Sequence, residues 1–319
     1  MSDPLVLVRA VHLLATILVA GAVFFRVFVA QPALGRACAT LLARVRARLA
    51  CLLAINLAVA IVSGVAWLGL LAARIGETSL LDAFGETTWT LLTQTQFGAV
   101  WQLRLAFALV LAAGLWRPDN TTPLRDIIAV GASTCFAGAL AWSGHGAATP
   151  GQAGDLHLVA DILHLIAAAF WLGGLVPLAM LLRWLLQSVD ESGPVILQNV
   201  LRRFSNLGLV VVAALVMTGA LNAYFILGSA DALFAGDYGR ALLAKLALFV
   251  VMAMIAAINR LKLTPDLASA SADPRLRART ARRIHANALA EIGLGIAIIV
   301  LVGWLGILAP GVAAHAHLH

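Results

Sequence analysis

The stretch "DLHLVADILHLIAAAFWLGG" at 155–174 places His157, Asp161 and His164 at i, i+4 and i+7 of a run otherwise as apolar as a membrane interior. At about 100° per residue the three share one helical stripe. Ionisable side chains are costly in lipid, so such a stripe faces protein or water and is commonly paired or functional. Neutral imidazole binds copper, zinc, nickel or iron, and a neighbouring carboxylate either joins such a site or orients its histidines. A structural alternative for Asp161 is an ion pair with Arg9.

A second imidazole stands in matching surroundings near the N-terminus. "VHLLATILVAG" at 11–21 aligns with "LHLIAAAFWLG" at 163–173, setting His12 against His164 and Gly21 against Gly173 at an offset of 152. "FGAVWQLRLA" at 97–106 aligns with "YGRALLAKLA" at 238–247, setting Arg104 against Lys245 at an offset of 141. Arg48, Ser63 and Gly64 stand opposite Arg203, Thr218 and Gly219 at an offset of 155. The position equivalent to Asp161 is Arg9, so the duplication is not chemically symmetric.

The elements that must position these residues are membrane helices. The chain's 319 residues are 62% hydrophobic and only 12% charged, about half the charged share of an ordinary soluble domain. Apolar runs near 5–32, 49–73, 99–116, 127–143, 157–182, 204–228, 241–259 and 285–308 are each long enough to cross or nearly cross the hydrocarbon core. They lack the alternation of a membrane barrel. The fold class expected is therefore an all-α integral membrane protein of eight transmembrane helices, built from two parallel four-helix repeats: residues 1–145 and residues 146–319. An even number of spans per half gives both halves the same orientation, related by a pseudo-twofold axis along the membrane normal. His12 and His164 then lie at equal depth, about 10 Å in at 1.5 Å per residue, and are expected to converge at that axis.

Sixteen of the 22 Lys and Arg residues fall in the connections after the first, third, fifth and seventh spans. Cytoplasmic loops carry such an excess, so both termini are expected on the outer face. The net charge of +7 is thus mostly topology, and short, dispersed basic loops do not read as a nucleic-acid surface. "MSDP" is not a basic leader, so the first helix is expected to be retained. Cys38, Cys51 and Cys135 are isolated and form neither a disulfide framework nor a CxxC motif. The segment "RLKLTPDLASASADPRLRARTARR" at 260–283 has almost no apolar period and reads as a linker near anionic headgroups.

Seven of the eight histidines fall on the outer face or in the outer half, which suggests a metal entering from outside. His145, in the loop "SGHGAATPGQAG", is either a further ligand or plain turn chemistry. The tail "HAHLH" has alternating spacing that can chelate, or it is simply a disordered end. Met217 is the one well-placed thioether, a softer ligand further in or a packing residue. The candidate metal ligands are therefore His12, His164, Asp161, His157, His145 and Met217. An imidazole–carboxylate set suits Cu(II) or Zn(II) rather than Cu(I). The alternative is a non-covalent haem b with His12 and His164 as axial ligands, acting in electron transfer or copper reduction. Arg104 and Lys245 are expected to snorkel, Trp67, Trp101 and Trp142 to anchor at the interface, Arg26 and Glu291 to pair, and Asn56 and Asn222 to bond between helices.

The stretch "HLVADILHLIAAAFWLGGLVPLA", with "SGHG" before it and "RFSNLGLVVVAALVMTGALNAY" and "YGRALLAKLALF" after it, resembles the copper resistance protein D family. Helix 1 departs from that pattern with Val19 where a tryptophan is common. The resemblance implies a bacterial inner-membrane protein, a carrier or receptor rather than an enzyme, that handles copper across the bilayer beside a separate periplasmic copper-binding partner.

Overall fold

The computed structural model describes residues 3–35, 39–83, 85–115, 122–143, 151–187, 193–229, 231–234, 236–269 and 273–308. Eight helices among them are long and apolar enough to span a membrane: α1 (Pro4–Leu34), α2 (Thr40–Gly76), α3 (Gln96–Leu115), α4 (Pro123–Ser143), α5 (Gly151–Gln187), α6 (Gly193–Leu227), α7 (Gly236–Ser269) and α8 (Pro274–Leu305). No strand occurs among the described residues. The eight-helix membrane bundle expected from the sequence is the fold observed.

Several helices run well past the apolar windows. The first turns of α6 show why: Ile196, Leu197, Val200, Leu201 and Phe204 are buried, while Gln198, Asn199, Arg202 and Arg203 are exposed. Apolar residues at i, i+1, i+4, i+5 and i+8 make one face of a helix whose opposite face is wet. The same rule corrects the linker expected at 260–283. Its described residues are helical apart from Asp273, with Thr280, Ala281 and Ile284 buried and Arg275, Arg279, Arg282 and Arg283 exposed. Asp273 caps α8, its carboxylate accepting from the backbone N–H of Arg275 at 2.9 Å and Leu276 at 3.1 Å. Two short helices, Leu80–Ala83 and Glu86–Gln94, join α2 to α3.

Helices α1 and α5 are the most buried spans and pack on each other. Their contact is made by glycine: a Cβ on Gly21 would overlap the backbone of Gly173, and one on Gly173 would overlap the carbonyl of Ile17. Small residues let membrane helices approach backbone to backbone, which maximises dispersion contact where no hydrophobic drive exists. Around this pair, α1 packs on α2, α4 and α8, while α5 packs on α6, α8 and α4; α3 packs on α4 and α7 on α8. Below the glycine contact, Phe25, Trp171, Leu182, Phe204 and Ile284 form a core shared by both halves.

Two α-helical ladders widen to π turns, at Phe25–Ala30 in α1 and Asn259–Leu263 in α7. The expected Arg26–Glu291 bridge is not made. Arg26 donates to Asp126 at the start of α4, at 3.0 Å, and Glu291 instead accepts from Asn259 at 2.9 Å. Asn56 bonds within its own helix, to the carbonyl of Leu52 at 2.8 Å, rather than across helices.

Replacing Gly173 by Val should lower stability in detergent by about 1–3 kcal/mol, the usual cost of overpacking. Gly293→Ala, where an added Cβ meets open space, should be neutral or stabilising by up to about 1 kcal/mol. Thermal unfolding of the two variants checks the contrast, and equal behaviour would remove the α1–α5 contact from the account.

Candidate functional site

Two polar clusters lie inside the bundle, one in each half, and they are built on the same frame. In the first half the ring of His12 is 1% exposed. Its Nδ1 lies 3.0 Å from the Ala60 carbonyl and 3.2 Å from Ser63 Oγ, and its Nε2 lies 2.8 Å from Nη2 of Arg104. A guanidinium only donates. Nε2 must therefore carry the lone pair and Nδ1 the proton, which goes to Ala60. Arg104 also donates to the carbonyl of Phe136 at 2.6 Å and to Thr16 Oγ1 at 3.1 Å. One guanidinium thus ties α1, α3 and α4 together, while the histidine ties α1 to α2.

Aromatic rings close this cluster. His12 meets the edge of Trp67 at 5.5 Å and Trp101 at 5.1 Å; Arg104 lies over Phe136 at 4.6 Å and Arg9 over Trp67 at 4.8 Å. Arg104 is 1% exposed and Trp67 3%, so neither reaches the headgroups as the sequence suggested. A carbonyl, a hydroxyl, an imidazole and ring faces spread the buried charge where no carboxylate lies within 4.0 Å among the described residues.

In the second half, His164 Nδ1 lies 2.9 Å from Thr218 Oγ1, which itself donates to the Ala214 carbonyl at 2.6 Å. Ser63 makes the same bond to Val59, at 2.6 Å, and Val59 and Ala214 differ by the same offset of 155. Gly64 and Gly219 lie against the Cε1 edges of His12 and His164 in turn. The frame repeats; its occupants do not. Asn222 replaces Trp67 and donates to Asp161 Oδ1 at 3.1 Å, and Asp161 replaces Arg9. Lys245 replaces Arg104 and sits within electrostatic reach of both Asp161 and His164; Tyr238 flanks Asp161. Ala168 replaces Thr16.

The chemical difference follows directly. Thr218 uses its proton on Ala214, so it accepts from Nδ1–H of a neutral His164, leaving the Nε2 lone pair without a hydrogen bond among the described residues. One turn away, Asp161 offers a carboxylate, and the Oδ1 atom of Asn222 is buried without a partner. The first imidazole has both nitrogens bonded, and the second keeps one uncommitted among the described residues.

The expected convergence of His12 and His164 is not what the contacts describe. Each ring is engaged by helices of its own half, and His12 has both nitrogens in use, which leaves it no lone pair for a shared ion or a haem iron while Arg104 is in place. Arg9 and Asp161 do not form a pair among the described residues. His157 is buried and stacks on Phe225 at 5.1 Å. Met217 points away from the bundle and is 72% exposed. His145 and the HAHLH tail lie outside the described residues. Among the described residues no three His, Cys, Asp or Glu side chains gather closely enough to hold one ion. Sequence reasoning missed Arg104 as the partner of His12, Asn222 as the partner of Asp161 and Lys245 within electrostatic reach of it; the alignment of Arg104 with Lys245 was the available signal.

Residues 1–155 match the family described as copper resistance protein D-like, N-terminal domain, and residues 198–305 match the family described as copper resistance protein D. Copper resistance protein D of Pseudomonas syringae pv. tomato is 35% identical over 269 residues, covering 80% of this chain and 84% of that one. Inner membrane protein YebZ of Escherichia coli (strain K12) is 31% identical over 208 residues, 65% of this chain and 68% of that one. Copper transport protein CutJ of Bacillus subtilis (strain 168) is 30% identical over 182 residues, 53% of this chain and 31% of that one. Similarity on this scale, reaching both halves of the bundle, makes the chain a member of the copper resistance protein D family.

Proposed function

We propose that the chain carries copper ions across the bacterial inner membrane, with both termini periplasmic, and that the cargo is taken at the second-half cluster. The observation that carries this reading is the asymmetry of the two histidines: Nε2 of His12 is bonded to Arg104, whereas Nε2 of His164 has no hydrogen bond among the described residues and stands one turn from Asp161. The names of the relatives, copper resistance protein D, copper transport protein and inner membrane protein, support copper as cargo and the inner membrane as location. Imidazole nitrogen with carboxylate oxygen suits Cu(II), and the outward-facing Met217 offers no softer ligand beside it. His157, buried on the same helix, and His145 are the candidates to complete the ligand set. A periplasmic copper-binding protein would deliver or receive the ion.

Lys245 has a defined part in this scheme. Its ammonium neutralises Asp161 when no cation is bound, so an arriving ion competes with it for the same carboxylate. The exchange of one positive charge for another keeps the low-dielectric site near neutrality in both states. We further read the packing, in which the pairs α1–α2, α1–α4, α1–α8 and α3–α4 recur as α5–α6, α5–α8, α5–α4 and α7–α8, as two parallel repeats about a pseudo-twofold axis running beside Gly21 and Gly173. Rocking of one repeat on the other across that contact would move the ion inward. His12 and Arg104 are then the locked counterpart that holds the first repeat rigid.

In proteoliposomes with a copper-sensitive dye inside, His164→Ala and Asp161→Asn should each lower uptake by about tenfold or more, the effect of about 1.4 kcal/mol on binding. Wild-type uptake rates in both variants would sink the assignment. A Soret band in the purified protein would instead favour haem. Arg104→Met should lower thermal stability by about 1–3 kcal/mol through the lost bonds to His12, Phe136 and Thr16, while the folded fraction still binds copper. Loss of copper binding without loss of stability would place the cargo in the first half.

A further inference from the structure

Glu291 is a buried carboxyl, 2% exposed, that the copper scheme does not use. It borders a cavity of about 280 Å³ among α5, α6, α7 and α8, toward the end of the bundle that carries the arginine-rich connections. The duplication gives it a counterpart. A Cβ on Gly138 of α4 would meet Ile162 at 3.1 Å, and one on Gly303 of α8 would meet Ala10 at 3.1 Å. Ile162 and Ala10 stand at the offset of 152 that relates α1 to α5. Helices α4 and α8 are thus related by an offset of 165, which sets Glu291 against Asp126. Asp126 is held by Arg26 at 3.0 Å, but the position equivalent to Arg26 is Leu178, another wall of the cavity. The carboxyl recurs and its arginine does not.

The partners that Glu291 does have are neutral. Asn259 donates from Nδ2 to its Oε1 at 2.9 Å, and Asn287 donates from Nδ2 to Oδ1 of Asn259 at 2.7 Å. The indole N–H of Trp171 stands within hydrogen-bonding reach of the same carboxyl. A guanidinium only donates, whereas a primary amide carries a donor and an acceptor side by side. With both amides turned over, Oδ1 of Asn259 accepts from a carboxylic O–H and its Nδ2 donates to Asn287. The pair therefore serves the ionised and the protonated carboxyl with the same number of bonds, which Arg26 cannot do for Asp126. Arg260 is the other ionisable side chain lining the cavity; its Nη1 donates to Ser205 at 2.8 Å and Asn206 at 3.1 Å on α6, and no ion pair within 4.0 Å joins it to Glu291. The walls from α5 and α6 carry no ionisable group. On α1, Arg26 is turned to Asp126, and on α8 His285, six residues before Glu291, lies about 120° away around the helix.

From the buried carboxyl the polar line runs through half-buried Asn259 and Asn287 to Arg260, Ser205 and exposed Asn206. Asn259 also opens the π turn Asn259–Leu263, a local winding that recurs at functional sites. An ionised carboxylate closed off from water is costly and a protonated one is much less so, so a cavity that opens and closes about such a group exchanges a proton as it does. We propose that Glu291 is a proton-binding site, exchanging its proton with the basic end of the bundle through this cavity and the two asparagines, and that the exchange accompanies the copper movement proposed above. The second clause rests on the carrier reading, and the first does not. On release the carboxylic O–H bond breaks, the proton passes to water entering the cavity, and the carboxylate keeps the bond from Asn259.

Two measurements on the full chain separate these clauses. Infrared pH-difference spectra of the copper-free protein should show the C=O stretch of a protonated carboxyl that is lost in Glu291→Gln and kept in Asp126→Asn. Should Glu291→Gln not fold, Glu291→Asp should keep the band at a shifted frequency or midpoint. Spectra of the Glu291 variants identical to that of the wild type would overturn the proton site, whatever copper does. In proteoliposomes held at zero membrane potential, an imposed pH gradient should change wild-type copper uptake severalfold and leave Glu291→Gln unmoved. Wild-type uptake that ignores the gradient, or a variant that follows it as the wild type does, would overturn the link to copper. No copper uptake under any condition would end the carrier reading and the link with it, while the infrared band would still decide the proton site.

Discussion

The approach of α1 and α5 through Gly21 and Gly173 is the constraint on which the rest of the bundle depends. With the two backbones in contact, every other helix must pack against the outside of this pair, and α4 and α8 each touch both members. Lipid gives apolar surface no reason to be buried, so the contact rests on dispersion between closely fitted atoms. A single methyl group at the crossing would force the backbones apart and move both polar clusters relative to each other. The chemistry in each half is therefore referenced to one point.

From that point the two halves use identical means to different ends. A hydroxyl on α2 or α6 bonds the carbonyl one turn back and presents its oxygen to a histidine on α1 or α5, with a glycine clearing space for the ring edge. What occupies the neighbouring positions decides the outcome. Arg104 takes up the lone pair of the first imidazole, and two tryptophans pack against its ring. Lys245, Asp161 and Asn222 leave the second with a lone pair unbonded among the described residues and a carboxylate one turn away. The same hydroxyl, histidine and glycine thus stand in a cationic, aromatic setting in one half and beside a carboxylate and an amide in the other.

Much of this was legible in the amino-acid order. Spans of apolar residues fix the number of helices because lipid leaves the backbone no other solution, and the repeated segments located His12 and His164 as equivalents. Their partners were harder to read. An arginine near a helix end snorkels or turns inward depending on what lies across the gap, and Arg104 turns inward because Phe136, Thr16 and His12 supply acceptors and ring faces from two other helices. Those acceptors are separated from it by up to 92 positions, beyond any local pattern. The polar helix extensions failed for a related reason: in α8 the buried Thr280, Ala281 and Ile284 are too small or too sparse among arginines to register as an apolar stripe.

The tail of α1 carries a mechanical consequence. Beyond the π turn, Gln31–Leu34 packs on α6 of the other half as well as on α2. Helix α6 also bears Thr218 and Asn222, the residues that hold His164 and Asp161. It thereby connects the tail of α1 to the side chains that surround the second imidazole. A tilt of α1 therefore bears on the helix that holds the second imidazole as well as on α5, which carries it.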